Sequence, residues 1–75
     1  MDKQKFIELF KETIDIEDKE ITGDVVFREL EEWDSLALLS VIAMIDDEYD
    51  IIIQGNDFKS LNTLNDIMTY INDNK

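Results

Sequence analysis

A chain of 75 residues has room for one domain at most, 1–75, near the size at which a single apolar core only just suffices; its 44% hydrophobic content nevertheless lies well above a disordered profile. A net charge of −12, from 19 acids and 7 bases, argues against nucleic acid and against anionic membrane surfaces, because both reward the opposite sign. No apolar stretch approaches the roughly 20 residues that cross a bilayer, and the charged start MDKQKF lacks a secretory core, so the expected compartment is the cytoplasm, without membrane insertion.

The first predicted element runs from Asp2 to about Ile14. Phe6, Ile7, Leu9, Phe10 and Ile14 form a helical stripe with Lys and Glu opposite, and Asp2 is placed to cap it. Periodicity is lost from Asp15 to Trp33, which reads as a long loop with Gly23-Asp24 as its turn signal. Ile21, Val25, Val26, Phe27 and Leu30 are scattered through it, so the loop is expected to be pinned to the core. A second helix is predicted from Asp34, its N-cap, to about Tyr49. Leu36 through Ile45 is apolar except for Ser40, so this helix is hydrophobic on nearly every side and is either central or carries a face for a partner. Asp50 to Gly55 reads as a connector with inward isoleucines. Asn56 to Leu61 supplies one short helical turn started by an Asn or Asp cap. A last helix from Thr63 to Ile71, capped by Asn62 or Thr63, buries Leu64, Ile67, Met68 and Ile71. The expected fold is all-α: a small four-helix bundle of three main helices and one short one, with a long loop after the first.

Much chemistry is excluded. Without histidine or cysteine there is no Ser-His-Asp or Cys-His apparatus, no thiolate metal site and no disulfide framework. The two glycines form no phosphate cradle. The acids at 46–50 lack the alternating ligands and turn glycine of a calcium loop and read as a solvated face. The expectation is a non-enzyme with no metal site and no catalytic residues.

Ser35 remains, behind Asp34 at the mouth of the apolar helix. On its own, the Asp-Ser pair reads as a helix start. The same geometry points a first-turn hydroxyl outward beside backbone N–H groups that lack intrahelical partners, a field that favours a phosphate ester. Asp34-Ser35-Leu36 resembles the D-S-L signature of acyl carrier proteins, whose serine receives 4′-phosphopantetheine from coenzyme A through a dedicated transferase. The surrounding register carries the likeness further. Asp46-Asp47-Glu48-Tyr49-Asp50 resembles the family's E-E-E-F-D, Ile53 its buried isoleucine, Leu61-Asn62-Thr63-Leu64 its I-T-T-V, and Tyr70-Ile71 its Y-I. The resemblance implies a carrier that holds an acyl or aminoacyl group as a thioester on 4′-phosphopantetheine attached to Ser35. Its implied partners are a phosphopantetheinyl transferase and acyl-loading and acyl-transfer enzymes with basic docking surfaces, met by a monomer. Ala37 and Ser40 stand where fatty-acid carriers have acids, Trp33 replaces a small residue, and Gln54-Gly55 replaces Pro-Asp. These departures favour a specialised carrier, for surface-polysaccharide, lipid or secondary-metabolite assembly, over housekeeping fatty-acid synthesis.

On a helical wheel Ala37, Ser40, Met44 and Asp47 form one row. That row faces solvent or a partner if Leu39, Ile42, Ile45 and Tyr49 face a core shared with Ile53, Leu61, Leu64 and Ile67. Trp33 reads first as a loop anchor and second as a partner contact. Met44 divides evenly between core gap-filler and partner contact, while for Asp46, Asp47 and Glu48 the family resemblance favours docking to basic partner surfaces over mere solubility. The expected partner surface comprises Trp33, Asp34, Leu36, Ala37 and Met44 near the start, with Asp46, Asp47, Glu48 and Asp50 at the distal end. The alternative is a non-carrier adaptor whose second helix docks a protein, Ser35 being a helix-start residue only.

Overall fold

The computed structural model describes residues 2–74, so the first and last residues of the expected domain lie outside it. It contains α1 (Lys3–Thr13), α2 (Ser35–Tyr49), α3 (Gly55–Phe58) and α4 (Leu64–Asp73). Among the described residues the extended pairing is limited to one bridge, Val26 with Thr63. The all-α expectation of three main helices and a short one holds.

Caps set the ends of the elements. The Asp2 carboxylate accepts from the Lys5 N–H at 3.1 Å and starts α1, whose Phe6, Ile7 and Phe10 are buried. Leu9, expected on the same stripe, is half-buried. At α4, Thr63 and Asp66 form a reciprocal capping box, with the Asp66 carboxylate accepting from the N–H groups of Asn62 at 2.9 Å and Thr63 at 3.1 Å. Those two backbone donors hold the Asp66 carboxyl below the usual carboxylate range.

The loop between α1 and α2 is pinned as expected, through buried Ile16, Ile21 and Phe27 and half-buried Val25 and Leu30. Sequence periodicity did not reveal its 3-10 turn, Phe27–Glu29. Backbone bonds tie the loop to α4: Asn65 N–H donates to Gly23 carbonyl at 2.8 Å, and Phe27 N–H to Asn62 carbonyl at 3.3 Å. Gly23 lies close against α4, with no positive φ: a Cβ there would force the Asn65 side chain, which donates to the Asp24 carboxylate, to shift aside.

Three expectations need correction. First, α3 begins at Gly55 with no side-chain cap, so Asn56 and Asp57 lie inside it rather than before it. It is held instead at its end, where the Arg28 guanidinium donates to the Phe58 carbonyl at 2.7 Å and to Asn62 Oδ1 at 3.1 Å. Second, the isoleucines after α2 do not all point inward. Ile51 and Ile53 are buried, but Ile52 is 64% exposed, as the two-residue alternation of extended backbone demands. Third, the rotation of α2 differs from the wheel. Ala37, Val41 and Ile45 enter the core while Leu39 stands 64% exposed. The physical reason is that a helix apolar all round has almost no amphipathic signal to fix its phase.

The buried residues of α1, α2, α4, the loop and the α3 segment form one continuous apolar cluster. The radius of gyration, 11.2 Å, agrees with the ~11 Å of a compact chain this long. No helix among the described residues is long and apolar enough to cross a membrane.

Candidate functional site

Ser35 is the first residue of α2 and is exposed. Asp34 before it is extended (φ −151°, ψ −173°), and its carboxylate accepts from the Ala37 N–H at 2.7 Å. That bond satisfies one of the N–H groups a helix start leaves orphaned, at a worth of about 1 kcal/mol. Asp34 is thereby committed to the helix start. The Ser35 hydroxyl makes no hydrogen bond among the described residues, so it is free to react.

The serine is also held in place, because Trp33, two residues earlier, packs among three aromatic rings. Its indole runs nearly parallel to Phe10 on one side (14°, 6.2 Å) and to Phe58 on the other (18°, 6.0 Å), with Phe27 inclined at 4.8 Å. Such pairs add roughly 0.5–1.5 kcal/mol each beyond burial. They join α1, the 3-10 turn and α3 at the point where the chain enters α2. Trp33 N–H donates to the Leu30 carbonyl at 3.0 Å, and Lys19 holds Glu32 at 3.0 Å and Glu31 at 3.9 Å. The hydrogen bond from Lys19 keeps the Glu32 carboxyl below its usual range.

The faces of α2 beyond Ser35 follow from its rotation. Leu36 is 71% exposed, and Leu39 and Ala43 continue outward from it. Met44 and Ser40 are half-buried, Met44 packing against the core. Ala37, expected in the outward row, is only 6% exposed and presents almost no surface to a partner. Asp46, Asp47 and Glu48 are exposed, and no base occupies the last turn of the helix. Asp50 ends it in the left-handed conformation (φ 58°), its N–H bonded to the Asp46 carbonyl at 3.0 Å. The structure thus brings Trp33, Asp34, Ser35 and Leu36 together at one end and the four acids at the other, and adds exposed Leu39 between them.

Two clefts flank the start of α2. One, of ≈410 Å³, lies over Trp33, Leu38 and Phe58, with Arg28, Asn56 and Lys59 on its rim. The other, of ≈230 Å³, includes Asp15, Glu32, Asp34 and Ser40. The first falls within the size range of small-molecule sites. Sequence reasoning missed Arg28 and Lys59, which stand 31 residues apart with no local pattern to link them. The scarcity of bases in so acidic a chain was the available signal.

The groups at Ser35 suit a phosphate ester: an unbonded exposed hydroxyl, fixed backbone on the N-terminal side, and first-turn N–H groups beside it.

Comparison with known proteins shows the family of the chain as a whole. Residues 4–71 match the family described as "Phosphopantetheine attachment site". Over 64 residues, 85% of this chain, the sequence is 33% identical to the meromycolate extension acyl carrier protein of Mycobacterium leprae. The chain spans 56% of that protein's length. No solved structure matches.

Proposed function

Because the chain belongs to the phosphopantetheine attachment site family, we propose that Ser35 is its attachment residue and that residues 1–75 are a single acyl carrier domain. The observation that carries the assignment is the exposed, unbonded hydroxyl at the first position of α2, behind a capping aspartate and beside the Trp33 anchor. Attachment from coenzyme A joins Ser35 Oγ to phosphorus, breaks the pyrophosphate bond, releases adenosine 3′,5′-bisphosphate and gives up the hydroxyl proton. Bound 4′-phosphopantetheine supplies a terminal thiol that holds an acyl group as a thioester.

The chain's own residues then present that group. Asp34 fixes the helix start, Trp33 holds the backbone before it, and the first-turn N–H groups stabilise negative charge at Ser35 by roughly 0.3–1 kcal/mol. Leu36 and Leu39 offer apolar contact, and Asp46, Asp47, Glu48 and Asp50 offer charge, to a transferase and to acyl-processing enzymes with basic surfaces. Reaction chemistry belongs to those enzymes, and the carrier works as a cytoplasmic monomer. The changes at Ala37 and Ser40 favour specialised cargo, in line with the extension role named for the mycobacterial relative. A non-carrier adaptor would use the same exposed leucines but would leave the family match without a role.

Incubation with coenzyme A and a broad-specificity phosphopantetheinyl transferase should add one prosthetic group by intact mass. Ser35→Ala should take up none while keeping its helical circular dichroism. Modification that survives the substitution moves the site elsewhere, and a wild type resistant to transferases returns the adaptor reading.

A further inference from the structure

Among the described residues, every base on an α-helix lies on α1. Lys3, Lys5 and Lys11 stand there against Glu8 and Glu12, while α2, α3 and α4 hold acids and no base. Lys3 and Lys5 occupy the first turn, where a cation opposes the helix dipole, so their placement does not serve α1 itself. Neither Lys3 nor Lys11 makes an ion pair or side-chain hydrogen bond among the described residues, in a molecule with net charge −12. Both border one groove of ≈390 Å³ between α1 and the loop segment 20–23, with nearly buried Ile7 and Ile21 in its lining. The loop wall is fixed, because the Gly23 carbonyl accepts from the Asn65 N–H at 2.8 Å. Glu8, bonded to the Gln4 side-chain amide at 3.2 Å, lies between the two lysines along the helix, and Glu20 adds an acid on the loop wall. Along α1 the groove therefore runs plus, minus, plus over about 12 Å at the helical rise. No residue of α2 lines it, and it shares none with the two clefts beside Ser35.

We propose that this groove docks a partner protein through a helix that presents two acids about two turns apart with a base between them. The proposal goes beyond the carrier reading, which concerns α2, and does not depend on it. Charge complementarity selects the occupant. The outer acids meet Lys3 and Lys11, and the central base meets Glu8. An all-acid segment would set like charges against Glu8 and Glu20, and nucleic acid or an anionic lipid surface would meet the acidic field of the whole molecule. A second copy of this chain brings an α1 of the same order, so that centred on the groove Lys3 meets Lys11, and two net charges of −12 repel. Ile7 and Ile21 offer only a narrow apolar contact, so the interface belongs to the small, transient class and its strength falls with salt. Because the groove and α2 share no residue, one protein can hold the domain at α1 while α2 presents Ser35 and its acids to an enzyme.

The test uses two synthetic helical peptides of equal length, one carrying Glu-x-x-Lys-x-x-x-Glu beside an Ala- and Leu-bearing face, the other with every charge inverted. Titrated onto nitrogen-15-labelled protein, the first should shift the amides of Ile7, Lys11, Ile21 and Thr22, and the inverted peptide should not. Lys3→Gln and Lys11→Gln should each weaken binding of the first peptide roughly two- to five-fold, the span of an exposed ion pair. Added salt should weaken it in wild type. Lys3→Glu combined with Lys11→Glu should reverse the preference between the peptides, a result that loss of folding cannot produce. Equal responses to the two peptides, or a response indifferent to both lysines, would overturn the proposal. So would a Lys11-dependent dimer seen by sedimentation without peptide, which assigns the groove to a second copy. Saturation with the first peptide should leave the rate of modification from coenzyme A at Ser35 unchanged, and a parallel loss of that rate would place the peptide on α2 and overturn the groove. If mass spectrometry finds no attachment but the peptides are still told apart through Lys3 and Lys11, the carrier reading fails and the groove stands. If attachment proceeds and the peptides are not told apart, the groove fails and the carrier reading stands.

Discussion

At the residue scale, Trp33 is the side chain on which the site's placement depends. It touches three rings from three segments, and it immediately precedes the Asp34-Ser35 pair. Trp33→Ala should cost about 3 kcal/mol, the lower end for a large aromatic because the residue is half-buried. In urea unfolding the midpoint should fall while Trp33→Phe recovers much of the loss. Attachment at Ser35 should slow in the alanine variant even where the domain remains folded, since the backbone before α2 loses its anchor. A loss below about 1 kcal/mol would mean that the Asp34 cap and the Lys19 contacts position the serine without the indole.

At the element scale, α2 carries charges that oppose its own dipole. Asp46, Asp47 and Glu48 occupy the last turns, where the helix end is already negative, and each costs a few tenths of a kcal/mol. Their placement therefore favours a partner rather than the fold. Substitution of all three by Asn, Asn and Gln should leave thermal stability unchanged or slightly raised. Association with a cognate enzyme should slow, and the salt dependence of that rate should flatten, because encounter is steered by the acids. Stopped-flow association rates at several ionic strengths check this. An unfolded triple variant, or an unaltered rate and salt response, would show that the acidic end serves some other purpose.

For the whole molecule, 19 acids against 7 bases leave most carboxylates without a cation. Among the described residues the ion pairs are those of Lys19 with Glu31 and Glu32. Self-repulsion at this charge destabilises the compact state and is screened as the Debye length shrinks from about 10 Å at 0.1 M to about 3 Å at 1 M salt. The melting temperature should therefore rise by several degrees between low and molar sodium chloride, given that 1 kcal/mol corresponds to roughly 4–8 °C in a domain this small. Calorimetry at fixed pH measures it. A melting point flat in salt would indicate that the acids are spaced widely enough not to interact.

Local chemistry was legible in the chain alone. Asp2, Asp34 and Thr63 cap their helices because a short oxygen-bearing side chain before an apolar run has few better uses, and the spacing of Phe6, Ile7 and Phe10 or of Leu64, Ile67, Met68 and Ile71 fixes one buried face. The Asp34-Ser35-Leu36 triplet and its register likewise need no coordinates. The rotation of α2 was not legible, because ten nearly uninterrupted apolar residues contain no phase. Only packing against α1 and the rest of the core sends Ala37, Val41 and Ile45 inward and leaves Leu36 and Leu39 outside. Arg28 and Lys59 meet at one cleft for the same kind of reason. Their neighbourhood is made by the fold of a long loop over α3, and no local rule of propensity or periodicity reaches across 31 residues.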